Sequence, residues 1–183
     1  MRTTDKYLPS DHDHWHWSLA RTEDDINDIV AMAKGFYETE VSDIFTTDPA
    51  ILRQHIDLAV TAQKYTLNQQ QIIICRDKTS GKLLGWAWLD RGHYTPYAAE
   101  EMADARFAHI DLSLPNRTRI TLCAQIIQQW ILWCSIHQIP VLISSSIRSE
   151  QEAFLKLHQR FGFKRHGSVC YFKVENYFGN SNE

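Results

Sequence analysis

The sequence predicts an α/β fold, a single sandwich of strands and helices, and two stretches carry that expectation. A strand-like run at 107–114 leads through Pro115-Asn116-Arg117-Thr118-Arg119 into a long apolar helix, after which Pro140 opens another strand over 141–145. Strand, crossover helix and strand make a right-handed βαβ unit with parallel strands. Upstream, strand-like runs at 72–76 and 83–89 flank Asp77-Lys78-Thr79-Ser80-Gly81, a hairpin connection with glycine available for the left-handed position. At 183 residues the chain suits one core and demands no second domain.

In chain order, residues 1–14 are polar and read as a flexible arm, and 15–20 as a first strand. Thr22 is a good N-cap with Asp25 three residues on; Ile26, Ile29, Val30, Ala33 and Phe36-Tyr37 then recur at helical spacing to about Glu40. Asp48-Pro49 starts a second helix, with Ile51, Leu52, Ile56, Leu58-Ala59 and Ala62 as its apolar stripe. After the hairpin, residues 90–104 read as a long excursion of the kind that often covers a site. The helix over 118–137 is apolar almost all round and must be covered on several sides. A further helix ends in Phe161-Gly162-Phe163 and a last strand pair follows, so the folded domain is expected over 15–178 with a disordered tail at 179–183.

Composition narrows the function. Hydrophobic residues make up 44% and charged residues 22%, as in ordinary globular proteins, and the formal charge of −3 gives no bulk attraction to nucleic acid or membrane. Cys75, Cys123, Cys134 and Cys170 show no paired spacing, sit in apolar stretches and read as reduced thiols of a cytoplasmic protein. The N-terminus has no apolar secretory segment, and Gln125, Gln128 and Gln129 interrupt the longest apolar helix. Asp11-His12-Asp13-His14-Trp15-His16 could set alternate histidines on one strand face, but no further ligand spacing accompanies it and no metal is expected.

The element order, with Arg21-Thr22-Glu23-Asp24-Asp25 before the first helix, Lys82-Leu83-Leu84-Gly85-Trp86 on the third strand and Leu157-His158-Gln159-Arg160-Phe161-Gly162-Phe163 closing the last helix, resembles the GNAT superfamily of acyl-CoA-dependent N-acetyltransferases. The resemblance runs from about Trp15 to Val174. It implies a mixed, mainly antiparallel central sheet with helices on both faces and a βαβ half that binds the cofactor. The family's phosphate loop reads Arg or Gln, two residues, Gly, one residue, then Gly or Ala. The nearest match is Arg119-Ile120-Thr121-Leu122-Cys123-Ala124, with leucine in the first glycine position. Glycine there lets backbone N–H groups approach a pyrophosphate closely.

The implied activity is transfer of an acetyl group from acetyl-CoA to a primary amine of a small molecule or protein. The implied cofactor contacts are Leu112, Ser113, Leu114, Arg117, Thr118, Arg119, Thr121, Ala124 and Gln151, with the Ser113 N–H polarising the thioester carbonyl. Asp111, placed on one strand face with His109 and Ser113, is the candidate base, and a plain His109–Asp111 hydrogen bond is the alternative. His158 stands where the family commonly has the tyrosine that protonates the thiolate, with Tyr171 as substitute. Tyr94, Tyr97 and Glu100 in the excursion, with His109, are candidate acceptor contacts that would favour a cationic amine. The expected partners are the amine and a second copy of the chain as a homodimer. The rival is a non-catalytic protein of this fold in a larger assembly, for instance a viral particle; a nucleic-acid-binding module is disfavoured by the charge balance.

Overall fold

The computed structural model describes residues 8–9, 12–42, 44–146 and 152–166. The elements are β1 (Trp15–Leu19), α1 (Glu23–Glu40), α2 (Pro49–Tyr65), β2 (Gln70–Asp77), β3 (Leu83–His93), β4 (Met102–Ile110), α3 (Asn116–Ile136), β5 (Val141–Ser144) and α4 (Glu152–Arg160). The strands lie side by side in the order β1-β2-β3-β4-β5, antiparallel throughout except for the parallel pair β4–β5. The expected mixed, mainly antiparallel sheet is therefore present.

Alternation along β2 divides the core in two. Ile72 and Ile74 face α1 and α2 with Ile29, Ile56 and Trp86. Ile73 and Cys75 face the other way, towards Ile126, Ile127, Trp130 and Trp133 of α3. Ile126 and Ile127 form the middle of that α3 face and are fully buried. Helices thus cover both faces of the sheet.

Local chemistry fixes where the elements start. Thr22 Oγ1 accepts from Asp25 N–H at 3.1 Å and Asp25 Oδ2 accepts from Thr22 N–H at 3.0 Å, a complete capping box for α1. Arg76 on β2 then reaches Asp25 at 2.9 Å and Asp28 at 2.7 Å, tying the helix to the sheet. Asp48 Oδ1 accepts from Ala50 N–H at 2.8 Å, and Pro49 takes the first position of α2. From α2 the buried Gln63 side chain bridges the two strands below, donating to Ala20 O at 2.9 Å and accepting from Ile72 N–H. On the opposite face one oxygen, Gln125 Oε1 of α3, accepts from the indoles of Trp15 at 3.1 Å and Trp17 at 3.0 Å.

Three expected boundaries are corrected. β4 ends at Ile110 instead of reaching Leu114, because Asp111 Oδ1 accepts from Ser113 N–H at 2.8 Å and from its hydroxyl at 2.7 Å, closing a turn that replaces the strand ladder. Asp111 and Ser113 therefore share no strand face with His109. The excursion expected over 90–104 shrinks to 94–101, since β3 runs on to His93 and β4 begins at Met102. The helix α3 begins at Asn116, so residues 119–124 lie inside it and form no loop.

Candidate functional site

The parallel pair β4–β5 is short. It runs from Met102↔Val141 to Ala105↔Ser144, and β4 then continues to Ile110 with no β5 residue opposite. A cavity of about 530 Å³ fills the resulting split. It passes through the sheet: Tyr37 and Val41 of α1 line it from one face, and Asn116, Arg119, Ile120 and Cys123 of α3 line it from the other. Phe154 and Leu157 of α4 close its side.

The β4 backbone along the split offers hydrogen bonds. Asp111 N–H donates to Leu84 O on β3 at 2.9 Å. Peptide groups alternate along a strand, so those of Ile110 and Ala108 turn the other way, towards the space β5 has left. At the α3 end, Pro115 occupies the cap position with no side-chain cap, and the first ladder bond is Arg119 N–H to Pro115 O at 3.0 Å. The N–H groups of Asn116, Arg117 and Thr118 consequently have no acceptor among the described residues, and the positive end of the helix dipole coincides with Arg117 and Arg119. Arg119 donates to Asn116 Oδ1 on the cavity wall.

Leu122, in the position where the family pattern has glycine, is fully buried against the sheet among the core residues of the α3 face. Its side chain does not enter the cavity. The other expected cofactor residues scatter around the helix end. Arg117 is exposed and Thr118 half-buried, while Thr121 donates its hydroxyl proton to Arg117 O at 3.0 Å. Ala124 lies a turn further along α3, Leu114 packs against the core, and Leu112 is exposed at the cavity edge. Gln151 and Tyr171 lie outside the described residues.

The expected proton-transfer groups separate. His109 is buried, lines the cavity and stacks on Phe36 with ring centroids 4.3 Å apart. Asp111 lies on a second cavity, beneath α1 and beside the β2–β3 hairpin, where its Oδ2 accepts from Lys82 Nζ at 2.6 Å. Burial alone would push the Asp111 carboxyl up, but the bonds from Lys82 and Ser113 outweigh it and hold the group below the usual carboxylate range. His158 is 4% exposed, packs between Phe154 and Phe163, and is absent from the cavity wall. Its Nδ1–H donates to Phe154 O at 2.9 Å, and burial pushes the imidazole below its ordinary value, so the ring is neutral.

Tyr94 and Tyr97 are exposed and, like Glu100, do not line the cavity. Sequence reasoning missed Tyr37 and Arg106, which do. Tyr37 looked like one more apolar position of α1; burial pushes its phenol up to about 12, so it remains a neutral hydrogen-bond donor. Arg106 had no signal at all, because a bulge sets its direction: Trp88 pairs with Phe107 and Leu89 with Ala105, leaving Arg106 as the extra residue of β4. Among the described residues, Asp90, His93 and Asp104 form a group whose candidate ligand atoms lie within 4.8 Å of one another, and Arg106 Nε donates to Asp90 Oδ2 at 2.8 Å beside it.

No protein-family profile matches the chain, and no curated protein matches it. Solved structures do. The aminoglycoside antibiotic 6′-N-acetyltransferase AAC(6′)-Ih from Acinetobacter baumannii superposes with a TM-score of 0.62 at 14% identity, covering 87% of this chain and 97% of its own. Aminoglycoside N-acetyltransferase AAC(6′)-Iy in complex with CoA gives 0.63 at 12% identity, covering 91% and 98%. An acetyltransferase of Trypanosoma brucei gives 0.60 at 13%, covering 87% and 99%. The fold of this chain is that of the GNAT acetyltransferases.

Proposed function

We propose that this chain, built on the GNAT acetyltransferase fold, is an N-acyltransferase that moves an acetyl group from acetyl-CoA to a primary amine. The observation that carries the reading is the split that pierces the sheet. A donor held on the α3 face and an acceptor entering from the α1 face can meet inside it, which suits direct attack in a ternary complex. Among the structural neighbours, AAC(6′)-Iy has been solved in complex with a bisubstrate analogue containing CoA, in keeping with such an arrangement.

Acetyl-CoA supplies the activated thioester; this chain's residues bind, orient and move protons. The free N–H groups of residues 116–118, with Arg117 and Arg119, form an anion site for the diphosphate, and Leu122 leaves it open by packing into the core. The N–H groups of Ala108 and Ile110 point into the split and suit the thioester oxygen. Ser113, first expected in that role, commits its N–H to Asp111. The attacking amine must shed a proton, and His109 on the cavity wall is better placed to take it than Asp111, which is paired with Lys82 on another surface. His158 supports the fold of α4 by packing, with its one ring proton held by Phe154.

Isothermal titration with acetyl-CoA and with CoA tests the reading. Both are expected to bind, and Arg119→Glu is expected to weaken each by roughly 10- to 100-fold, the scale of losing a charge-assisted contact and gaining repulsion. A thiol-release assay over a panel of amines then reads turnover. No binding at millimolar cofactor, or an unchanged affinity in Arg119→Glu, would sink the proposed site.

A further inference from the structure

We propose, resting on the acyltransferase reading, that the acceptor is a small amine that also carries a carboxylate, and that Arg106 reads that carboxylate. The charges on the cavity wall point this way. Among the described residues lining it, the formal charges are Arg106 and Arg119, and no aspartate or glutamate lines it. Arg119 belongs to the α3 face with the helix end. Arg106 lies over the ring of Trp88, at 6.0 Å from its centroid, and Trp88 packs against the core of the α1 and α2 face. Arg106 is therefore the fixed charge at the mouth left for the acceptor.

The guanidinium is held in a receptive pose. Arg106 stands one residue past Ala105, the last β4 position paired with β5, so it marks the vertex of the split. Asp90 Oδ2 accepts from Nε at 2.8 Å, and the two terminal nitrogens have no hydrogen-bond acceptor among the described residues. A guanidinium pinned through Nε over an aromatic ring presents its outer edge as a ready fork for a carboxylate.

The two acids nearby do not turn this mouth into a cation site. Asp90 has a partner on each oxygen, with Oδ1 on His93 Nε2 at 2.8 Å and Oδ2 on Arg106. Asp104 lies 3.9 Å from Arg106 Nε, and its carboxyl is pushed up chiefly by burial, with Asp90 adding to the rise and Arg106 opposing it. Both stand off the cavity wall. The tyrosines and Glu100 that suggested a cationic acceptor also lie away from it.

The test compares γ-aminobutyrate, butylamine and putrescine, matched in length, and repeats the trio at other chain lengths. With wild-type protein and acetyl-CoA, kcat/KM for the amino acid is expected to exceed that for the plain amine by roughly 10- to 100-fold. Arg106→Gln is expected to bring that ratio close to one while leaving acetyl-CoA affinity unchanged, and Arg106→Lys to restore part of it. Preference for putrescine or butylamine, or a ratio that survives Arg106→Gln, overturns the proposal. Titration of the same ligands without cofactor separates the two ideas: saturable binding of an amino acid that vanishes in Arg106→Gln upholds the carboxylate subsite even if acetyl-CoA fails to bind. Equal binding of acid and plain amine overturns it whether or not turnover is seen.

Discussion

At the scale of single residues, Leu122 and His158 show how little a residue's name says without its direction. A leucine in a glycine position suggests a blocked phosphate site, yet its place inside α3 sends the side chain into the core. A histidine in a tyrosine position suggests an acid, yet Phe154 holds its proton and two aromatic rings enclose it. The buried imidazole has a consequence for stability. Its folded pKa lies below the ordinary 6.5, so the unfolded chain binds the proton more readily. Stability from this group is therefore whole above about pH 6.5 and falls as pH drops towards the lowered folded value, by up to about 1.4 kcal/mol per pH unit. Thermal melts between about pH 7.5 and 5.5 are expected to show the loss, and His158→Phe to show a shallower one, a comparison set by the same linkage. Equal slopes would mean that His158 is protonated alike in both states.

At the scale of elements, the decisive unit is the junction from β4 into α3. The sequence showed strand, basic segment and helix in the right order, because apolar runs and Pro115 are local signals. It could not show where the strand stops, since the Asp111–Ser113 turn is made by side chains competing with the sheet ladder. Misplacing that boundary by a few residues put Asp111 beside His109, when they belong to different cavities. Two variants separate their roles. Asp111→Ala is expected to cost about 1 kcal/mol in chemical denaturation, the size of a lost turn or cap bond, with an unaltered pH profile of kcat/KM. His109→Gln is expected to lower kcat/KM and flatten the rise of activity with pH, as loss of a base should. A flattened profile in Asp111→Ala instead would return the base to that carboxylate.

At the scale of the molecule, the layering was legible in advance because α1 and α2 carry apolar stripes, α3 is apolar almost all round, and the family resemblance implied helices on both faces of the sheet. The split in the sheet was not, for nothing in Met102–Ile110 or Val141–Ser144 says where one strand stops accompanying the other. Arg106 was hidden for the same reason: a bulge is a property of two strands together. Charge followed a similar rule, since Glu100, expected beside the acceptor, lies off the cavity wall that Arg106 lines.

The shared oxygen of Gln125 has an optical consequence. Because one amide accepts both indoles of β1, the middle of α3 cannot lift off the sheet without wetting two fluorophores together. Mild urea should red-shift the tryptophan emission in step with the loss of helical circular dichroism, and Gln125→Leu should begin that shift at lower denaturant. Any release at mid-length of the crossover helix that would grip the diphosphate is thus lit by the strand beneath it.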